Sequence, residues 1–122
     1  MSMEYPERKT INDKEMFDDV VRAILSVMGS DAVKIILYGS VARGDNTWES
    51  DVDIAVITKG NYDSKGSSSN FSHVITPLDM KYDTLISVIT IDEKHYNDWL
   101  FDLPFYFNID EEGITLWTEK TA

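Results

Sequence analysis

The chain has 122 residues, no cysteine and a formal net charge of −11, from 22 acidic and 11 basic residues. This length fits one domain with one core, and an apolar content of 43% is too high for a disordered chain. The lack of cysteine excludes disulfides and thiolate metal sites. Because so negative a surface repels nucleic acid and no basic cluster reverses it, we expect no direct nucleic-acid binding, and divalent cations or a basic protein suit it better.

The sequence also argues against a membrane protein. No apolar run approaches the roughly 20 residues that a membrane-spanning helix needs. The N-terminal segment MSMEYPERKT lacks the apolar stretch of a signal peptide. We therefore expect a soluble, cytoplasmic protein.

The first predicted element is an amphipathic helix that follows a polar N-terminal arm at residues 1–11. Asn12 or Asp13 can cap the start of this helix, and Gly29 is placed to end it. Its apolar residues recur at helical spacing, at Phe17, Val20, Val21, Ile24 and Met28.

The remainder predicts short strands with helices interspersed among them. The β-rich runs are AVKIILY at 32–38, SDVDIAVIT at 50–58, DTLISVITI at 83–91 and ITLWT at 114–118. A Gly/Ser-rich loop is expected at 59–70, and helices at 71–78, 92–102 and 103–113. This order predicts an α/β or α+β fold, with a mixed sheet of about four strands and helices packed against it. We expect one domain at 12–118, followed by a C-terminal tail at 119–122.

Two aspartates at the start of the second strand carry the strongest chemical signal. Residues i and i+2 of a strand point to the same face, so Asp51 and Asp53 should project together. Two such carboxylates repel each other unless a cation lies between them. Mg²⁺ is the natural candidate, because it binds one or two carboxylates together with phosphate oxygens and water.

A glycine-rich turn precedes this pair. Gly39 and Gly44 permit backbone conformations that side chains forbid, and the intervening SVAR can form a helical turn whose N–H groups bind phosphate. The Ser40 hydroxyl can add a hydrogen bond, and Arg43 can neutralise or brace the site. If the first two strands are neighbours, the predicted phosphate site and the carboxylates converge.

The combination of strand, GSVARG turn and SDVD pair resembles the motif of the nucleotidyltransferase superfamily that includes DNA polymerase beta. Gly39, Ser40, Gly44, Asp51 and Asp53 match the motif, and the variant is similar to the minimal single-domain members. The resemblance implies the polymerase beta-like fold, ATP or another NTP as substrate, and two Mg²⁺ ions. It extends over about residues 12–118, although only the segment 39–53 is specific.

The resemblance also implies a third carboxylate on a neighbouring strand, which would accept the proton of the attacking hydroxyl. Asp83, at the start of the predicted third strand, is the first candidate, and Asp79 is the alternative. If Asp83 instead only ends a helix or turns the chain, it has no such role.

The family further implies what such a domain acts on. Minimal members are commonly paired with a small all-helical HEPN protein, a ribonuclease-type toxin, for which the nucleotidyltransferase is the antitoxin. We therefore expect transfer of a nucleoside monophosphate to a hydroxyl group of a partner protein, with AMP from ATP as the first choice. Two alternatives stay open: a nucleotidyltransferase for a small molecule such as an aminoglycoside, with self-association completing the pocket, and a non-catalytic binding module of the same fold.

Overall fold

The computed structural model describes residues 4–44, 51–60 and 67–119, with the backbone alone for 4–13 and 67–70. The described part contains five α-helices, one short 3₁₀ turn and four strands. In chain order these are α1 (Glu4–Met28), the 3₁₀ turn (Gly29–Asp31), β1 (Ala32–Tyr38), α2 (Ser40–Arg43), β2 (Val52–Thr58), α3 (Ser67–Tyr82), β3 (Ile86–Asp92), α4 (Glu93–Trp99), α5 (Pro104–Glu112) and β4 (Ile114–Thr118).

The four strands form one mixed sheet in the order β3-β2-β1-β4. β1 pairs antiparallel with both β2 and β4, whereas β2 pairs parallel with β3. The parallel pair requires a crossover, and α3 supplies it. The predicted fold class, a mixed four-stranded sheet with helices against it, is confirmed.

Helices cover both faces of the sheet, so its central strands are apolar on both sides. One face packs against α1 and α3 through residues such as Ile35, Ile54 and Val56, and the other packs against α4 and α5 through residues such as Ile36 and Ala55. Within β2, six of the seven residues are buried, and the exception is the half-buried Asp53. This carboxylate therefore lies where the apolar cover of the sheet ends.

Several predicted boundaries differ from the structure. The backbone of α1 begins at Glu4, so most of the predicted arm at 1–11 is helical and neither Asn12 nor Asp13 marks the start of the helix. Helix α3 begins at residue 67, inside the predicted loop, and continues past Pro77 to Tyr82. Pro77 is exposed, where its ring and its missing N–H disturb the packing least.

The third strand starts later than predicted. Asp83 does not open it, because β3 begins at Ile86. Asp83 has a φ of +51°, a left-handed conformation typical of a residue that ends a helix. Three residues from it, Ile86 donates its N–H to Asp79 Oδ1 at 2.9 Å, and this bond ties the start of β3 to α3. The segment 83–85 is therefore a turn.

The other elements agree closely with expectation. The predicted first and last strands match β1 and β4, and the last helix has Pro104 in its first turn and ends at Gly113. In α4, the Asp92 side chain caps the helix by accepting from His95 N–H at 3.0 Å. Across the described ranges, no helix combines the length and the apolar character needed to cross a membrane.

Candidate active site

The chain turns sharply at Gly39, between β1 and α2. Gly39 has a φ of +81° and a ψ of −160°, a region that residues with a side chain avoid. A Cβ atom placed on it would lie 2.5 Å from Asp53 Oδ2. Glycine is therefore required at this position both for the backbone conformation and for the close approach to the Asp53 carboxylate.

The four-residue helix α2 follows directly. Arg43 donates its N–H to Gly39 O at 3.1 Å, and Gly44, with a φ of +82°, ends the helix by donating to Ser40 O at 3.0 Å. The N–H groups of Ser40, Val41 and Ala42 precede the first hydrogen bond of this turn, so they belong to the positively polarised end of the helix. The predicted helical turn is thus present, and both glycines have a positive φ, as their expected conformational freedom allows.

Asp51 and Asp53 lie two residues apart, Asp51 exposed just before β2 and Asp53 half-buried within it. Burial raises the pKa of the Asp53 carboxyl, and the negative charge of Asp51 raises it further. The two carboxylates therefore lie close enough to repel each other. Two hard oxygen donors that repel each other fit a divalent cation such as Mg²⁺, which would compensate both charges.

Strand pairing adds two side chains that the sequence pattern did not reveal. Tyr38 of β1 and Ser87 of β3 both pair in register with Asp53, so the three side chains form a row on one face of the sheet. The pKa of the Tyr38 hydroxyl is raised by burial and by the charge of Asp53. Ser87 was missed because its place beside Asp53 depends on strand register, which the sequence pattern does not give.

The predicted third carboxylate does not join this row. Asp83 lies in the turn before β3, and Asp79 caps that strand from α3, which covers the opposite face. Among the described residues, which include all four of these aspartates, no three histidine or carboxylate side chains are grouped closely enough to hold one metal ion. The structure thus brings together Asp51 and Asp53, but neither Asp83 nor Asp79 with them.

A cavity of about 200 Å³ opens beside the glycine turn. One side is formed by the end of β1 and by α2, and the other by α5, and an ion pair of 3.6 Å between Arg43 and Glu112 links the two sides. The phenyl ring of Phe105 meets the Tyr38 ring edge to face, with centroids 5.6 Å apart. The cavity is lined by Tyr38, Gly39, Arg43, Phe105, Asn108, Ile109 and Glu112.

The α5 side of this cavity was not predicted from sequence, although a signal for it exists. Its four residues occupy positions i, i+3, i+4 and i+7, which form one helix face. This face mixes an aromatic, an amide, an aliphatic and an acidic side chain, so it does not stand out as an apolar stripe. These residues line one cavity only because the fold packs α5 against the end of β1.

Comparison with known proteins agrees with the fold and with the position of the motif. The sequence profile of a family described as "Nucleotidyltransferase domain" matches residues 19–106, which include the glycine turn and both aspartates. A "Putative protein adenylyltransferase" of Methanocaldococcus jannaschii is 36% identical over 110 residues, covering 88% of this chain and 100% of the relative.

Two solved structures share the fold. A "putative nucleotidyltransferase" from Sulfolobus solfataricus has a TM-score of 0.56 and 16% identity, covering 98% of this chain and 91% of that one. A toxin–antitoxin crystallised with AMP-PNP has a TM-score of 0.56 and 17% identity, covering 85% of this chain and 74% of that one. At such identities the likeness concerns the fold alone.

Proposed function

Because the chain belongs to the nucleotidyltransferase domain family, we propose that it moves AMP from ATP to a hydroxyl group of a partner protein with the help of Mg²⁺. Family membership makes the chain a nucleotidyltransferase. The nucleotide, the metal and the acceptor are the proposed parts. The observation that carries the proposal is the Asp53 carboxylate, which lies against Gly39 and within the field of Asp51.

Each part of the turn has a proposed role. Asp51 and Asp53 would hold Mg²⁺, which when bound neutralises phosphate charge and positions the reacting oxygens. Gly39 allows the phosphates to approach the backbone, and the first N–H groups of α2, together with the Ser40 hydroxyl, are donors for phosphate oxygens. Gly44 fixes the length of α2, and Arg43 contributes a positive charge beside it. This proposal assigns no role to Asp83 or Asp79.

The transfer itself is an in-line displacement at the α-phosphorus of ATP. A bond forms between the acceptor oxygen and the α-phosphorus, the bond from that phosphorus to the oxygen bridging to the β-phosphate breaks, and pyrophosphate leaves. The acceptor hydroxyl gives up its proton to solvent water as the bond forms. Positioning and charge stabilisation account for most of the catalysis in such reactions, and this turn offers both.

We further propose that the acceptor is a small helical HEPN-type toxin and that the chain is its antitoxin. A relative named as a protein adenylyltransferase and a toxin–antitoxin of the same fold crystallised with an ATP analogue both support a protein acceptor. The net charge of −11 also favours a basic partner over nucleic acid. Transfer to a small hydroxylated molecule is the competing outcome.

The test is label transfer with ATP carrying radioactive phosphate at either the α or the γ position. The protein is co-purified from its native cell, with Mg²⁺ present, and products are separated into protein and small-molecule fractions. We expect α-label, and no γ-label, on a copurifying protein. Asp53→Asn should lower the rate at least about 100-fold, because charge compensation at the phosphates is lost.

The matched control is Asp98→Asn on α4, an exposed carboxylate whose ion-pair partner is Lys94 and which should leave the rate unchanged. Transfer of γ-label, or equal rates for Asp53→Asn and Asp98→Asn, would rule out the proposed reaction. α-Label on a small molecule other than the adenine nucleotides themselves, with none on protein, would replace the protein acceptor by a metabolite.

A further inference from the structure

The cavity between β1 and α5 is the strongest feature that the motif residues leave unexplained. We propose that it is the nucleobase subsite, in which the Phe105 ring is the stacking surface, the Tyr38 ring forms a second wall at a right angle to it, and Asn108 bonds to the edge of the base. This inference rests on the proposed function and adds residues outside the glycine turn and the aspartate pair.

Gly39 belongs to both the cavity and the aspartate site. It lines the cavity, and its Cα lies so close to the Asp53 carboxylate that no side chain fits between them. Tyr38, the residue before Gly39, also belongs to both sites, since it pairs with Asp53 across the strands and lines the cavity. A nucleotide with its phosphates at Asp53 and α2 therefore has its nucleoside beside this cavity.

The size and shape of the cavity fit one ring system. At about 200 Å³ it is smaller than the pockets that enclose whole drug-sized ligands, but large enough for a base whose sugar and phosphates remain outside. The rings of Tyr38 and Phe105 stand at 85° to each other and form two walls that meet at a corner. Phe105 is 48% exposed, so it still has ring surface available for stacking.

The polar residues favour a base over the side chain of an acceptor. An asparagine amide offers one acceptor and two donors, which suits the alternating donors and acceptors on the edge of a base. If the acceptor were a tyrosine, its hydroxyl would be engaged at the phosphorus. Its ring has no other polar group with which Asn108 could form a hydrogen bond. The Arg43–Glu112 ion pair links the two sides of the cavity and holds α5 against α2.

The experiment compares binding of two ligands that share phosphates and differ in the base. Affinities for a non-transferable ATP analogue and for inorganic tripolyphosphate are measured by calorimetry in the presence of Mg²⁺. We expect Phe105→Ala to weaken the ATP analogue about 10-fold through lost stacking. Asn108→Ala should weaken it about 5-fold through lost hydrogen bonds. Neither change should alter the affinity for tripolyphosphate.

Matched controls come from α5 itself and from the neighbouring helix α4. Phe107 on α5 and Asn97 on α4 are exposed and lie outside the cavity lining, so Phe107→Ala and Asn97→Ala should bind both ligands like the parent protein. Circular dichroism of every variant shows whether the fold is intact. Because Asn108 is exposed, its variant keeps the test valid even if Phe105→Ala unfolds.

Three results would overturn the inference. If both variants bind the ATP analogue like the parent, the base lies elsewhere while the proposed function stands. If they weaken tripolyphosphate and the ATP analogue equally, the cavity acts through the phosphates and not the base. If the parent protein binds neither ligand, the proposed function itself fails and the nucleobase subsite fails with it.

Discussion

At the scale of single residues, Gly39 carries two constraints that can be separated by substitution. Its φ of +81° is strained for any other residue, and an added Cβ would collide with Asp53. We expect Gly39→Ala to lower the free energy of unfolding by about 1–3 kcal/mol, the usual cost of so unfavourable a backbone conformation. Urea denaturation measures this loss. The collision between the added Cβ and Asp53 should also weaken Mg²⁺ binding.

Two other glycines provide the controls. Gly44 has the same sign of φ but open space around it, so Gly44→Ala reports the backbone strain without the collision. Gly60 has ordinary surroundings, its nearest neighbour being Asp92 Oδ1 at 3.6 Å, so Gly60→Ala should change stability by less than about 0.5 kcal/mol. If Gly39→Ala proves as stable as Gly60→Ala, the close approach of Gly39 and Asp53 is wrong.

Asp53 opposes stability in the absence of metal. Burial and the charge of Asp51 raise its folded-state pKa above the ordinary value of 3.8. The folded chain therefore binds a proton at Asp53 more tightly than the unfolded chain does. The stability that this proton contributes is complete below the ordinary pKa and is lost as the pH rises through the folded pKa. At neutral pH in metal-free buffer, Asp53→Asn should consequently raise the temperature of unfolding, although the same change lowers the rate of transfer when Mg²⁺ is present.

Thermal unfolding with and without excess Mg²⁺ checks this expectation. The cation should stabilise the parent protein, because it binds the folded state, and should have a much smaller effect on Asp53→Asn. A lower unfolding temperature for the variant in metal-free buffer would mean that Asp53 is a structural residue.

At the scale of elements, a charged cluster joins α1 to α3 on the side of the sheet away from the site. Asp19 accepts hydrogen bonds from the Tyr82 hydroxyl, from Lys81 Nζ at 3.0 Å and from Arg22. The bond from Tyr82 is the chief cause that lowers the pKa of the Asp19 carboxyl, followed by the bond from Lys81. The cluster fixes α3, and α3 in turn fixes β3.

The lowered pKa gives a pH dependence with a definite sign. The stability contributed by Asp19 is present above its ordinary pKa of 3.8 and is lost as the pH falls through the lowered folded value. Tyr82→Phe should therefore reduce stability at pH 7 and make the decline in acid shallower. Urea unfolding across the acid range measures both effects.

Asp18→Asn is the control, since Asp18 is exposed and pairs with Lys14 within the same helix. It should leave the acid profile nearly unchanged. An acid decline for Tyr82→Phe as steep as that of the parent protein would show that Asp19 does not depend on Tyr82.

The elements also show which parts of the architecture a sequence can predict. β1 and β4 were predicted with correct bounds, because apolar runs between turn residues define them. The start of β3 was wrong since Asp83, Thr84 and Leu85 look like part of the strand, while the Asp79 cap and the left-handed Asp83 make them a turn. This turn depends on the hydrogen bond between Ile86 of β3 and Asp79 of α3, which forms only when the two elements pack together.

At the scale of the whole molecule, the motif predicted the family and the fold class, which the comparisons and the sheet confirm. Asp51 and Asp53 could be paired from the two-residue period of a strand. The row of Tyr38, Asp53 and Ser87 could not be predicted, because it depends on strand register, which joins residues far apart in sequence. The predicted domain limits of 12–118, and the roles given to the site residues, stay predictions.

The pairing of β4 with β1 has a consequence for how the protein is made. Lys34 lies opposite Thr118, so β1 gains its second neighbour only after β4 has been synthesised. Pairing between strands so distant in sequence is slow, because a long loop must close before they meet. A ribosome that has released the chain only to α3 has already produced the glycine turn and both aspartates, whereas α5 and β4 are still to come. A chain synthesised only as far as α3 thus carries the aspartate pair before the cavity beside it can form, and formation of the cavity must follow synthesis of α5.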